Sequence, residues 1–153
     1  MMNDFLNEDY LVRSVNYDEV MNTVVLPFLT SREKAETVSG VKGKPLYSVS
    51  YASENPIGTV FMVHGFTENA YKYSEMIFSL LNNRFSVVIY DQRGHGRSWR
   101  ADGIPDPSVT HADCFDDYVG DLGFVLSHYS GMPRPFLLFA RRLFFVSNFD
   151  LFL

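Results

Sequence analysis

Apolar residues along the chain gather in short uncharged runs, separated by glycine-containing loops and by stretches with helical spacing. Two runs stand out. Thr59-Val60-Phe61-Met62-Val63 ends abruptly in His64-Gly65, and Val87-Val88-Ile89-Tyr90 ends in Asp91 and a loop that carries Gly94 and Gly96. β-Branched and aromatic residues without charge suit strands buried on both faces, as in a parallel sheet. Between the runs, Tyr71–Asn83 places Tyr73, Ile77, Leu80 and Leu81 on one helical face, and Asn82-Asn83 predicts the C-terminal stop. Strand, loop, helix, strand is a βαβ unit, and the crossover rule makes its two strands parallel neighbours.

The remaining pattern extends this unit in both directions. Val20, Met21, Val24, Val25 and Phe28 form an amphipathic stripe beginning at Tyr17, with Pro27 placed to bend or end the helix. A first strand is expected near 36–41, and a second near 45–52, where Leu46, Ser48 and Ser50 alternate with Tyr47, Val49 and Tyr51. Gly103, Pro105 and Pro107 mark a loop. A helix is predicted from Asp113 through Tyr129, with Phe115, Tyr118, Val119, Leu122, Val125 and Leu126 toward the sheet. Phe136–Ala140 reads as a further buried parallel strand. The fold class is therefore α/β, with strands near 36–41, 45–52, 57–64, 85–91 and 135–140 in a mostly parallel sheet and helices on both faces. Residues 1–16 read as an N-terminal arm, 17–140 as one domain and 141–153 as an apolar tail.

Charge and cysteine content narrow the partners. A net charge of −5 argues against nucleic acid or an anionic membrane surface, both of which attract basic proteins. No basic segment followed by an apolar one opens the chain, no transmembrane segment is expected, and the single cysteine, Cys114, permits no internal disulfide. These features favour the cytoplasm. His111-x-x-Cys114 offers two metal ligands without a second pair, so no metal is expected, and Cys114 reads as a semi-buried structural thiol. Gly94-x-Gly96 has Trp99 where a dinucleotide fingerprint needs its third glycine, so no cofactor is expected.

Val63-His64-Gly65-Phe66 after one strand and Asp91-Gln92-Arg93-Gly94-His95-Gly96-Arg97-Ser98 after the next resemble the α/β-hydrolase fold. Within it they are most similar to the monoacylglycerol lipase and lysophospholipase branch, related to serine aminopeptidases. The resemblance runs from about Tyr17 to Ala140. It implies the N-terminal part of an α/β-hydrolase, an incomplete form of that fold, and an ancestral serine carboxylic-ester hydrolase acting on small lipid esters. Peptidase, epoxide hydrolase and dehalogenase relatives share the same early loops, and the Phe66-Thr67-Glu68 continuation favours the lipase-like branch. The resemblance makes the backbone N–H of Phe66 one oxyanion donor. His64 is left with two roles, holding the oxyanion loop or transferring a proton, and the resemblance favours the first. Gly65, Asp91, Gly94, His95 and Gly96 are expected to position the loops, and Arg93 and Arg97 to fix the second loop.

The same resemblance predicts a Gly-x-Ser-x-Gly elbow directly after Ala140, followed later by an acid and a base. The sequence there is Arg141-Arg142-Leu143-Phe144-Phe145, with Arg142 aligned to the nucleophile, and Ser147 lies between Phe145 and Phe149. All four histidines precede this point. The expectation is a chain without the Ser-Asp-His triad, inactive alone, its reading frame broken near Ala140. The alternative is a non-catalytic remnant or a partner-binding fragment that pairs through the open edge at 135–140.

Overall fold

The computed structural model describes residues 16–104, 106, 109–110 and 113–140. Most of the N-terminal arm, His111 and the whole of 141–153, with Arg142 and Ser147, lie outside the described residues. The chain runs through α1 (Tyr17–Val20), a π-helical turn (Met21–Val25), α2 (Leu26–Thr30), β1 (Glu33–Ser39), β2 (Pro45–Tyr51) and β3 (Gly58–Val63). It continues through a 3₁₀ turn (Ala70–Tyr73), α3 (Ser74–Asn82), β4 (Phe85–Tyr90), α4 (Phe115–His128) and β5 (Phe136–Ala140). One five-stranded sheet has the order β1-β2-β4-β3-β5.

The expected βαβ unit is present: β3 and β4 pair in parallel from Gly58↔Phe85 to Val63↔Tyr90, and β5 joins β3 in parallel. The sheet is mixed rather than mostly parallel, because β1–β2 and β2–β4 pair antiparallel, and β5 at the edge is partly exposed rather than buried. Helices cover both faces, as the sequence predicted. The first three helical segments and α3 pack with Val49, Val60, Met62, Val87 and Ile89 on one face. On the other, α4 packs Val125 against Leu46, Phe61, Val63, Val88 and Tyr90. Alternation along β2 sorts Leu46 to the α4 side and Val49 and Tyr51 to the other, the consequence of a period of two.

Three details depart from the expected pattern. The first strand begins at Glu33 and ends at Ser39, earlier than 36–41, because Val41 leaves the ladder to donate its N–H to Asp121 Oδ1 at 2.8 Å. Its mostly polar, exposed residues mark an edge strand, where apolar periodicity is weakest. In the N-terminal helix the π turn precedes Pro27, which lacks an N–H and crowds the preceding turn. The wide turn resets the helical register, so Val24 faces solvent and Leu29 enters the core instead.

The third departure is in α4. Leu122, Val125 and Leu126 pack toward the sheet as expected, but Val119 is exposed, and the buried stripe is Asp117, Asp121, Val125 and Tyr129, spaced four apart. The two carboxylates are buried because Arg93, 1% exposed, meets both. Its Nε donates to Asp121 Oδ2 at 2.6 Å, Nη2 to Asp121 Oδ1 at 2.8 Å, and Nη1 to Asp117 Oδ2 at 2.8 Å. The Asp121 hydrogen bond, ahead of the opposing burial, raises the Arg93 pKa. Lys42 adds a contact to Asp117 at 3.4 Å, which offsets the surplus negative charge. Cys114 is also corrected: it precedes α4 in extended backbone and is exposed.

Truncating Asp121 to Ala leaves the Arg93 guanidinium buried with two donors unmet. A one-sided break of such a pair costs about 3–5 kcal/mol. Chemical denaturation of Asp121→Ala should show a loss of that size, and a loss below about 1 kcal/mol would show that α4 is held by its apolar contacts alone.

Candidate active-site loops

The site predicted from sequence lies where β3 and β4 end side by side. His64 is completely buried there. Its Nε2 accepts the Gln92 N–H at 3.0 Å, so the proton belongs on Nδ1, which donates to the Gly65 carbonyl at 2.8 Å. Gln92 returns a bond from its side-chain amide nitrogen to the His64 carbonyl at 2.7 Å. Both ring nitrogens of His64 are thus occupied. Burial is the largest influence on this ring and lowers its pKa, favouring the neutral form.

Asp91 joins the two loops. One carboxylate oxygen accepts the Ala70 N–H at 2.7 Å and the other accepts the Arg97 N–H at 2.9 Å. Its own N–H donates to the Tyr47 carbonyl at 2.8 Å, and the Ser98 hydroxyl donates to its carbonyl. The loop between Asp91 and Ser98 must double back to reach that carboxylate. Gly94 and Gly96 allow this with φ of +76° and +46°. At Gly96 a Cβ would stand 2.0 Å from Asp91 Oδ2, so no side chain fits while the bond to Arg97 is kept.

The loop after β3 is held from both ends. Gly65 donates its N–H to Glu68 Oε2 at 2.9 Å, and Lys72 reaches Glu68 Oε1 at 2.7 Å. Beyond Phe66, Thr67 takes a left-handed φ of +65°. Its N–H donates to His95 Nε2 at 3.3 Å, while His95 Nδ1 lies 3.0 Å from the Arg93 carbonyl. The rings of His64 and His95 meet edge to face at 5.0 Å, and Phe66 and His95 at 5.7 Å. Phe66 itself is 47% exposed, at the open end of this cluster.

The seven residues singled out in the sequence therefore come together around two loop ends. Gln92 and Glu68 are the members that motif reading missed. Gln92 gains its partner, His64, only where the two strands end side by side, whereas Glu68 is met within its own segment by Gly65, Lys72 and Tyr73. At the margin, Arg97 Nη1 donates to the hydroxyls of Tyr47 and Tyr71 at 2.9 and 3.0 Å, with its guanidinium beside both rings. The Tyr71 phenol is pushed up to about 12, first by its hydrogen bond with Tyr47, so it stays neutral. A groove of about 690 Å³ is lined by Phe28, Arg32, Asn55, Leu81 and Arg84, near the opposite ends of β3 and β4 and away from this cluster. Among the described residues, no group of three or more histidine, cysteine or carboxylate side chains could hold a metal ion. None of their helices is long and apolar enough to cross a membrane.

Comparison with known proteins gives the same frame. The chain is 36% identical over 95 residues to lysophospholipase L2 of Escherichia coli strain K12, a match covering 62% of this chain and 27% of that protein. Thus it spans about a quarter of the length of that relative. Among solved structures, an epoxide hydrolase from Vigna radiata superposes with a TM-score of 0.56 at 23% identity, covering 72% of this chain and 32% of its own. An esterase from Exiguobacterium antarcticum does so with a TM-score of 0.54 at 19% identity, covering 69% and 34%. These two likenesses establish the α/β-hydrolase fold. The sequence profile described as serine aminopeptidase, S33, matches residues 54–140, the segment that contains both loops. The chain belongs to the serine aminopeptidase S33 family of α/β-hydrolases.

Proposed function

We propose that residues 54–140 form the oxyanion-loop half of a serine ester hydrolase acting on lysophospholipids, monoacylglycerols or similar small lipid esters. The observation that carries this reading is the locked pair of loops, in which His64, Gln92, Asp91 and His95 spend their hydrogen bonds on backbone groups. Such a frame suits a preorganised backbone donor better than a proton shuttle, because His64 has no ring nitrogen left for substrate. The likeness to lysophospholipase L2 supports the substrate class.

In that chemistry a serine oxygen bonds to the ester carbonyl carbon, the carbonyl oxygen becomes an oxyanion, and the alcohol leaves with a proton. Water then releases the acid and restores the serine. This segment contributes the Phe66 N–H to the oxyanion, and His64, Gly65, Asp91, Gly94, His95 and Gly96 hold the loop that presents it. No Gly-x-Ser-x-Gly stands anywhere in the 153 residues, so the nucleophile of this reaction has no counterpart here. The 153-residue chain alone is accordingly inactive.

A second reading is a non-catalytic fragment that accepts a strand from a partner. It is favoured by β5, an edge strand whose Leu137 and Leu138 are 44% and 41% exposed.

Incubated with a fluorophosphonate probe, the chain should carry no adduct on any serine. Stoichiometric labelling, at Ser147 above all, would overturn the inactive assignment, and co-purification of a stoichiometric strand-donating protein would favour the second reading. The oxyanion assignment has its own test, in a chain extended beyond Ala140 by an elbow, an acid and a base. There Phe66→Pro deletes the donor N–H and should lower kcat on a lysophospholipid by about 10²–10³-fold. An unchanged kcat would remove Phe66 from the reaction.

A further inference from the structure

The turn that carries Phe66 depends on one imidazole. His95 Nδ1, 3.0 Å from the Arg93 carbonyl, must donate there, because a carbonyl oxygen only accepts. Its Nε2 therefore presents a bare lone pair, and the Thr67 N–H meets it at 3.3 Å. Thr67 is β-branched and holds a φ of +65°, a region such residues avoid without outside support. Among the described residues, the hydrogen bond of that amide is the one to His95. The imidazole is 3% exposed and wedged edge-on between His64 and Phe66.

We infer that His95 is a positioning residue for the oxyanion loop. Its neutral ring, with the proton on Nδ1, grips the Thr67 amide and fixes the turn that presents the Phe66 N–H, and a proton added at Nε2 releases it. The catalytic meaning of this grip rests on the assignment of Phe66 proposed above; the grip itself does not. Protonation would set an N–H at Nε2 against the N–H of Thr67, two donors with no acceptor between them.

The surroundings set the direction of the titration. Burial, the largest influence, lowers the His95 pKa from 6.5, and the Arg100 charge lowers it further, while the Arg93 carbonyl and Asp91 oppose. The facing His64 ring is itself held toward its neutral form by burial. Above about pH 6.5 both folded and unfolded chains carry a neutral His95. As pH falls below that value the unfolded chain takes the proton first, so the stabilising contribution declines through the window down to the folded pKa.

Hydrogen–deuterium exchange on the 153-residue chain, resolved at Thr67 and corrected for the intrinsic rate at each pH, tests the inference without turnover. Thr67 protection should be constant above about pH 7 and fall about tenfold or more as His95 protonates, while Val60–Met62 in β3 stay protected. His95→Gln, which sets a non-titrating oxygen near the place of Nε2, should keep the protection and abolish its pH dependence. His95→Leu should lack the protection at about pH 8. Protection that stays flat through the wild-type titration would overturn the inference, and that curve alone decides it if His95→Leu does not fold. If Thr67 responds as stated while Phe66→Pro leaves kcat unchanged in the extended chain, the oxyanion assignment fails and the grip stands. The opposite pattern removes the grip alone.

Discussion

The Asp91 carboxylate is the interaction on which the arrangement of this chain turns. It sits at the C-terminal end of β4, 1% exposed, and spends one oxygen on each loop. Accepting the Ala70 N–H ties the segment after β3 to the sheet, and accepting the Arg97 N–H folds the following loop back on itself. A buried carboxylate survives only when its lone pairs are met, so both loops have to be in place together. The fully buried His64 adds a second tie between the strand ends through Gln92. The result is a backbone turn with little freedom beside an exposed phenylalanine, the feature on which the proposed role of the Phe66 N–H draws.

A second polar cluster secures the opposite wall. Arg93 leaves the same loop and reaches Asp117 and Asp121 on α4, so the helix is fastened to the loop that Asp91 shapes. Burying this guanidinium with two carboxylates gives weak net stability but fixes geometry, since a shifted helix would strand a charge. Loop, helix and sheet are thus coupled by hydrogen bonds whose partners lie 24 to 28 residues apart.

Much of this frame was legible in the sequence. Uncharged runs at Thr59–Val63 and Val87–Tyr90, each ending at a glycine loop, identified the parallel pair, and alternation along Leu46–Tyr51 sorted that strand's faces correctly. The loops carried enough family character to place His64, Gly65, Phe66, Asp91, Gly94, His95 and Gly96 together. What stayed hidden depends on partners distant in the chain. Counting apolar positions assigns Asp117 and Asp121 to the solvent face of α4, and only the arrival of Arg93 reverses this. Thr67 is an ordinary β-branched residue in sequence, and its left-handed backbone becomes intelligible once His95 meets its amide. The π turn at Met21–Val25 likewise moves Leu29 into the core at the expense of Val24, a register change that a fixed period of 3.6 cannot express.

The central claim is that Asp91 and His64, although they bond different amides, belong to one cooperative joint between the two loops. A double-mutant cycle on Asp91→Ala and His64→Ala, followed by urea denaturation, measures this directly. If the joint is a single unit, whichever substitution comes first loosens the loops, and the second costs less than it would alone. The coupling predicted is about 1 kcal/mol or more, within the range of residues that share a network. Stability losses that add to within about 0.3–0.5 kcal/mol would mean that the two loops are held independently, and would contradict the account.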